Sequence, residues 1–275
     1  MIEVVDRVPT YPNRIRITRE DGSTEFVTWE RADQPTVEGT PINKALFDSI
    51  KADIGAGLSA NKTVYVSGAG SDVLGDGSQT NPYATIRKAI NTLPKNLNGY
   101  TVTINIAAGI YNDNVSIANT FGGIVILSGV LDDAVQINSL QVAHDANVQV
   151  ANIKLTVAGM TNGNAITVTN AKLMCFSKVS TIGAVSNGVH VNQNGYALFT
   201  DLTVNNTTHA CVYAANASRV FIVNISAANN TANGLLAVYG AMIAYNTATM
   251  TASVGYSTQA GGRIYSGAQT EIPKY

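Results

Sequence analysis

Two consecutive stretches of the chain share one pattern: YALFTDLTVNNTTHACVYAANAS at residues 196–218 and RVFIVNISAANNTANGLLAVYGA at residues 219–241. Each stretch opens with a β-rich run, and a second such run follows after a corner rich in Asn. The pattern extends over most of the chain, in segments 23 or 24 residues apart that begin at Thr101, Ile124, Val148, Lys172, Tyr196, Arg219 and Met242. Short strands at a constant period, with polar corners and no room for a helix, predict a solenoid of parallel strands.

The predicted fold class is mainly β, a parallel β-helix of seven rungs. One rung cannot bury its inward side chains, whereas stacked rungs about 4.8 Å apart share a continuous interior. A two-sheet sandwich would show hairpin turns and no single period. In this register we expect one inward column, formed by Ile153, Val179, Leu202 and Ile225. The 28 Asn residues suit corners, because Asn tolerates positive φ, and they suit ladders of stacked amides.

Charge is scarce and unevenly distributed in the 275 residues, with 13% charged residues and a net charge of -1. Residues 1–60 hold 17 of the 35 charged residues and residues 101–250 hold nine, a break that predicts two modules. Because there is no basic face, nucleic acid is not an expected partner. No apolar run is long enough for a membrane span or a signal peptide. We therefore expect a soluble protein made in the cytoplasm, with no membrane partner.

Four regions are predicted: residues 1–55, a small N-terminal module; 56–100, a linker and the opening of the β-helix; 101–255, the β-helix; and 256–275, a closing segment. In the first, RIRITREDGSTEFVTWE predicts a hairpin with a DG turn. A helix follows, capped by Thr40 and started by Pro41. In the second region, Asn81 and Pro82 are expected to start an amphipathic helix that covers an open end of the β-helix.

Both ends of the chain resemble known families. VYVSGAGSDVLGDGSQTNPYATIRKAI and TVTINIAAGIYNDNVSI, within residues 63–117, resemble the opening of pectin-lyase-like right-handed parallel β-helices. VDRVPTYPNRIRIT and VEGTPINKALFD are similar to N-terminal segments of tail-fibre, tailspike and baseplate proteins in phages and prophages of Gram-positive hosts, and GGRIYSGAQ is similar to their closing segments. The resemblance implies that the β-helix is right-handed and that the protein is a homotrimer in the virion. It also implies that the protein is made in a host bacterium and is attached to tail or baseplate proteins through residues 1–55. Arg14, Trp29 and Pro41 are the candidates for that attachment.

The same fold carries polysaccharide lyases and phage glycan hydrolases, but we do not expect an enzyme. A hydrolase needs two carboxylates about 5 to 9.5 Å apart, and the weak candidates are Asp113, Asp133 and Asp201. Calcium needs about six to eight oxygen ligands, several of them carboxylates, and no rung carries such a cluster. The residues of the lyases therefore have no positions in this chain, and we expect neither a metal nor a cofactor.

The histidines and cysteines show no catalytic spacing. His144, His190 and His209 fall in different parts of the period and are interpreted as polar surface residues. Cys175 and Cys211 lie in strand-like runs without a CxxC motif, and are interpreted as buried free thiols.

A long uncharged face with tyrosines at intervals remains, and Tyr196, Tyr213 and Tyr239 are the candidates for contact with a host-surface glycan. Tyr beside Asn suits a sugar, and it also suits an interface between subunits. The first hypothesis is a receptor-binding tail fibre or spike, in which many weak contacts add up to adsorption. The alternatives are an architectural virion protein of baseplate, tail or head with no host ligand, and a glycan depolymerase.

Overall fold

The computed structural model describes residues 14–18, 22–28, 57–130, 134–156 and 163–267. The chain divides into two compact units, Met1–Ala56 and Gly57–Tyr275. Within the described residues, every helix is too short or too polar to cross a bilayer.

In the first unit the predicted hairpin is confirmed. Strand β1 (Arg14–Thr18) pairs antiparallel with β2 (Thr24–Thr28). Gly22 lies in the connection with φ of 82°, a conformation that glycine adopts without a steric penalty. The predicted helix after Pro41 lies outside the described residues, as do Trp29 and Pro41 themselves.

The second unit is a parallel β-solenoid of about six turns. This confirms the predicted parallel β-helix, for which about seven rungs were expected. Face A consists of β3 (Lys62–Val66), β4 (Thr101–Ile106), β7 (Ile124–Gly129), β10 (Asn147–Ala151) and β17 (Arg263–Tyr265). Face B consists of β5 (Gly109–Ile110), β8 (Val135–Ile137) and β11 (Ile153–Thr156). Face C consists of β6 (Asn114–Ala118), β9 (Ser139–Ala143) and β12 (Asn164–Thr169). Four long strands run through all three faces: β13 (Lys172–Asn192), β14 (Tyr196–Ala214), β15 (Arg219–Val238) and β16 (Met242–Gln259).

The pairing register agrees with most of the predicted rung starts. Thr101 pairs with Ile124 on the next turn. On the later turns, each predicted start pairs with the one that follows it in the series Lys172, Tyr196, Arg219 and Met242. The predicted start at Val148 is wrong by one residue, because Asn147 pairs with Lys172 and Val148 with Val125. Val148 and Val125 are both buried. A one-residue slip would turn every inward side chain of β10 outward, so burial fixes this register.

Inward side chains form one core along the solenoid. Ile153, Val179, Leu202 and Ile225 pair in register and are all buried, which confirms the predicted column. In β4, buried and partly exposed positions alternate, because successive side chains of a strand point to opposite faces. Full burial of one such aliphatic side chain contributes about 1.5–3 kcal/mol.

Asparagines occupy corners between strands, as predicted. Four that lie between strands and have positive φ are Asn119, Asn152, Asn170 and Asn216, and Asn229 has positive φ within β15. Amides also stack between turns, since the Nδ2 of Asn216 donates to the Oδ1 of Asn192 at 2.7 Å. The Asn-rich composition therefore serves the corners and the ladders of this fold.

Helix α1 (Ile86–Asn91) begins later than predicted. Its N-cap is Thr85, whose side chain accepts a backbone N–H of the first turn. The predicted start at Asn81 and Pro82 is wrong, because Asn81 lies in the preceding loop and its side chain donates to a loop carbonyl. The helix packs against β3, β4 and β6 with two of its side chains buried. That α1 covers an open end of the solenoid stays a prediction.

Candidate functional site

Tyr213 lies on the outer side of face C, beside two histidines. His190 of β13 and Tyr213 of β14 pair in register on neighbouring turns. Their rings stack with centroids 4.9 Å apart and planes at 20°. His209 meets the same tyrosine ring edge-on, with centroids 5.3 Å apart and planes at 88°. The fold thus brings together three rings that are separated along the chain.

A chain of hydrogen bonds joins the two imidazoles through two asparagine side chains. The Nδ1 of His209 lies 2.8 Å from the Oδ1 of Asn187. The Nδ2 of Asn187 donates to the Oδ1 of Asn164 at 2.8 Å. The Nδ2 of Asn164 lies 3.2 Å from the Nδ1 of His190. We call these four residues and Tyr213 the face C cluster.

The asparagine amides fix the donor and the acceptor in every hydrogen bond of this series, because an amide donates from Nδ2 and accepts at Oδ1. His209 therefore donates from Nδ1, and His190 accepts at Nδ1. Turning both amides over would reverse the direction, but one imidazole would still donate and the other accept. Burial, and then the neighbouring His209, lower the pKa of His190. This shift favours the neutral ring that an accepting Nδ1 requires.

A second group of buried apolar residues, separate from the main core, packs against Tyr213: Ala210, Ala215, Leu236 and Val238. Tyr239 follows at the next corner, 62% exposed and with φ of 50°. Burial, and then the nearby Tyr239, raise the pKa of Tyr213. Two of the three tyrosines predicted to contact glycan are therefore neighbours, and Tyr239 offers an exposed ring beside the cluster.

Tyr196, the third predicted tyrosine, lies on the outer side of face A. Its ring centroid is 5.6 Å from that of Phe221. Phe221 belongs to a column of partly exposed side chains that pair in register along the solenoid: Met174, Leu198, Phe221, Ala244 and Tyr265. We call this column together with Tyr196 the face A strip. It borders an apolar groove of about 620 Å³.

The carboxylates proposed for a depolymerase have other partners. Asp113 is buried, its Oδ2 accepts the first backbone N–H of α1 at 3.0 Å, and Arg87 lies 3.5 Å from its Oδ1. The Oδ1 of Asp201 accepts from the Nδ2 of Asn224 at 2.8 Å. Asp113 precedes β6, and the face C strands β9, β12 and β13 separate β6 from β14, which holds Asp201. Four turns correspond to roughly 19 Å, so the structure does not pair these two acids. Asp133 lies outside the described residues.

Both cysteines are buried free thiols, as predicted. Burial raises the pKa of Cys175 and raises the pKa of Cys211 to about 11, so neither is a reactive thiolate near neutral pH. Across the described ranges, no group of three or more His, Cys, Asp or Glu side chains is arranged to hold a metal ion.

Comparison of the chain with protein-family models, with curated proteins and with solved structures gave no match.

Of the face C cluster, only Tyr213 was predicted from the sequence. The histidines fall in different parts of the period, yet His190 and His209 both contact the Tyr213 ring. A signal was present, because Asn187 follows Asn164 by 23 residues, and Tyr213 follows His190 at the same distance. That distance is one turn, so it places the members of each pair side by side.

Proposed function

We propose that this protein is a receptor-binding tail fibre or spike of a phage virion, and that face C of its solenoid contacts a host-surface glycan. The observation that carries the proposal is the face C cluster. It combines two imidazoles and a phenol on the outer side of face C, joins the imidazoles through the partly exposed Asn164 and the buried Asn187, and lies next to the exposed ring of Tyr239. Hydroxyl groups of a sugar pair with such polar groups, and the apolar side of a sugar ring packs on an aromatic ring.

The resemblance of the N-terminal segments to tail-fibre and baseplate proteins supports the virion assignment. On this proposal residues 1–55 attach to tail or baseplate proteins, with Arg14, Trp29 and Pro41 as candidate contacts. Many copies on one virion then engage many identical glycans. Multivalent contact of this kind converts weak single-site binding into firm adsorption.

The face A strip supports association between copies of this chain, for which we propose a homotrimer. The strip runs in register along successive turns, so its side chains repeat about every 4.8 Å. A second copy has the same repeat and fits it along its whole length. The scarcity of charge between residues 101 and 250 removes most repulsion between copies. In this arrangement Tyr196 contacts a subunit, while Tyr213 and Tyr239 face the glycan.

Light scattering of the full chain tests the association. We expect the mass of three chains for the wild type and a lower mass for Leu198→Glu, which puts a charge in the face A strip. Thr203→Glu, on face B of the same strand, is the matched control and is expected to keep the wild-type mass. A monomeric wild type would contradict the proposed trimer.

Binding of the labelled full chain to a panel of Gram-positive cell envelopes tests the glycan proposal. We expect saturable binding to some envelopes and not to others, and at least tenfold weaker binding by Tyr213→Ala. Tyr65→Ala, on face A of the first turn, is the matched control and should bind like the wild type. Absence of binding to every envelope would contradict the proposal and favour the architectural role. Release of oligosaccharides from bound envelopes would favour the depolymerase.

A further inference from the structure

Each imidazole of the face C cluster has a second nitrogen, Nε2, outside the chain of amides. A neutral imidazole carries its proton on only one nitrogen. Because His190 accepts at Nδ1, its proton is on Nε2, and that atom donates. Because His209 donates from Nδ1, its Nε2 accepts when the ring is neutral. No residue in the described part of the chain hydrogen-bonds to either Nε2.

We infer that the face C cluster is a binding site for an uncharged sugar, in which one imidazole Nε2 donates to a hydroxyl oxygen and the other accepts a hydroxyl proton. This inference rests on the proposed function and names the ligand class of the same site. A hydroxyl group both donates and accepts, so two hydroxyls on one ring satisfy both imidazoles. The Tyr213 ring contacts both imidazoles, and the exposed Tyr239 lies near Tyr213.

The charge state of the cluster selects against ionic ligands. Among the residues that the structure describes, the titratable groups around His190 are His209 and Tyr213, with Tyr239 beyond them, and the cluster contains no carboxylate, ammonium or guanidinium group. A cationic ligand therefore has no counter-charge. An anionic ligand would favour protonation of one imidazole. At His190 the added proton would place an N–H opposite the donating Nδ2 of Asn164, and at His209 it would remove the accepting Nε2.

The same geometry makes binding depend on pH. A proton on the Nδ1 of His190 breaks its bond with Asn164 unless both amides turn over, in which case both Nε2 atoms become donors and none accepts; it also places a positive charge near His209. We therefore expect full binding above the ordinary histidine pKa of 6.5 and progressive loss below it. A site built from side chains without titratable nitrogens would bind equally across this range.

Two histidine-to-asparagine variants separate a binding role from a structural one. In His190→Asn the new amide oxygen replaces Nδ1 as the acceptor for Asn164, but nothing replaces the outer Nε2 donor. His144→Asn is the matched control, because His144 is exposed on another turn and its φ of 51° suits asparagine. The probes are methyl glycosides of glucose, galactose and mannose, with methyl glucuronide as the charged comparison.

Titration of each full-length chain with these probes is followed through the imidazole ¹⁵N signals, which also report the tautomer of each ring. We expect opposite tautomers for His190 and His209, shifts on addition of at least one neutral glycoside, and at least tenfold weaker binding by His190→Asn alone. Identical tautomers, or preference for the glucuronide, would overturn the inference. Envelope binding that is equal in His190→Asn and the wild type would overturn the inference but leave the proposed function standing. Absence of envelope binding in the wild type would overturn both.

Discussion

Replacing Leu202 by Ala tests whether the solenoid is held together by its inward columns. Leu202 is 1% exposed and stacks between Val179 and Ile225 of the neighbouring turns. The change removes three carbon atoms, worth about 0.8 kcal/mol each in lost burial. The cavity left between two turns adds to this, so the expected total is about 3 kcal/mol, inside the usual range of about 2–5 kcal/mol for Leu→Ala in a core.

The assay is urea denaturation of the full chain, followed by circular dichroism. Thr203→Ala is the matched control, because Thr203 is the next residue of the same strand, points outward and is partly exposed. Its loss is expected to stay within about 0.5 kcal/mol, as is usual at surface positions. Equal losses for Leu202→Ala and Thr203→Ala would refute the assigned inward and outward sides of this strand.

Three further predictions concern buried polar groups and thiols. Asn230→Ala is expected to lower the free energy of unfolding by about 2 kcal/mol, because the Asn230 Oδ1 accepts both the N–H and the hydroxyl of Thr207 at 3.0 and 2.7 Å. Urea denaturation measures this loss, and a loss near zero would contradict the prediction. The melting temperature is expected to fall as the pH drops below 6.5, since the lowered pKa of His190 means that the unfolded chain takes up the proton at a higher pH than the folded chain. An equal fall of the melting temperature in His190→Asn would contradict that cause. Cys175 and Cys211 are expected to react with a thiol reagent only after unfolding, because burial raises both pKa values; rapid labelling of the native chain would disprove their burial.

The period of the sequence predicted the solenoid because every turn has to bury its inward side chains against the neighbouring turns. Each turn buries apolar side chains at alternating strand positions and passes polar corners, so the pattern repeats wherever turns stack. The inward column through Ile153 and Leu202 followed from this alone. The start at Val148 was misplaced because the corner before β10, formed by His144, Asp145 and Ala146, contains no feature that marks the first strand residue. Only the burial of Val148 beside Val125 distinguishes the two registers.

The start of helix α1 was predicted wrongly because the helix-start residues Asn81 and Pro82 have another role. Asn81 and Pro82 are common at helix starts, but here the Asn81 side chain ties the preceding loop together. Thr85 supplies the cap instead, and its hydroxyl also donates to the carboxylate of Asp72 at 2.6 Å. Asp72 lies 13 residues earlier in the chain, so its contact with Thr85 depends on how the loop folds back and could not be predicted from local sequence.

The face C cluster could be predicted only in part. One turn separates Asn164 from Asn187 and His190 from Tyr213, so their stacking follows from the period. His209 contacts Asn187 just after a stretch, Ile182 to Asn187, in which the register between β13 and β14 shifts. Irregularities of this kind depend on how individual corners pack, and the period does not contain them.

Hydroxyl-radical footprinting of the full chain, with and without a bound envelope polysaccharide, tests most directly whether face C is the recognition surface. The method reports the exposure of individual aromatic and histidine side chains. We expect protection of His190, His209, Tyr213 and Tyr239, and no change at Tyr65 on face A. Protection at Tyr65, with the four face C residues unchanged, would contradict the assignment of glycan recognition to face C.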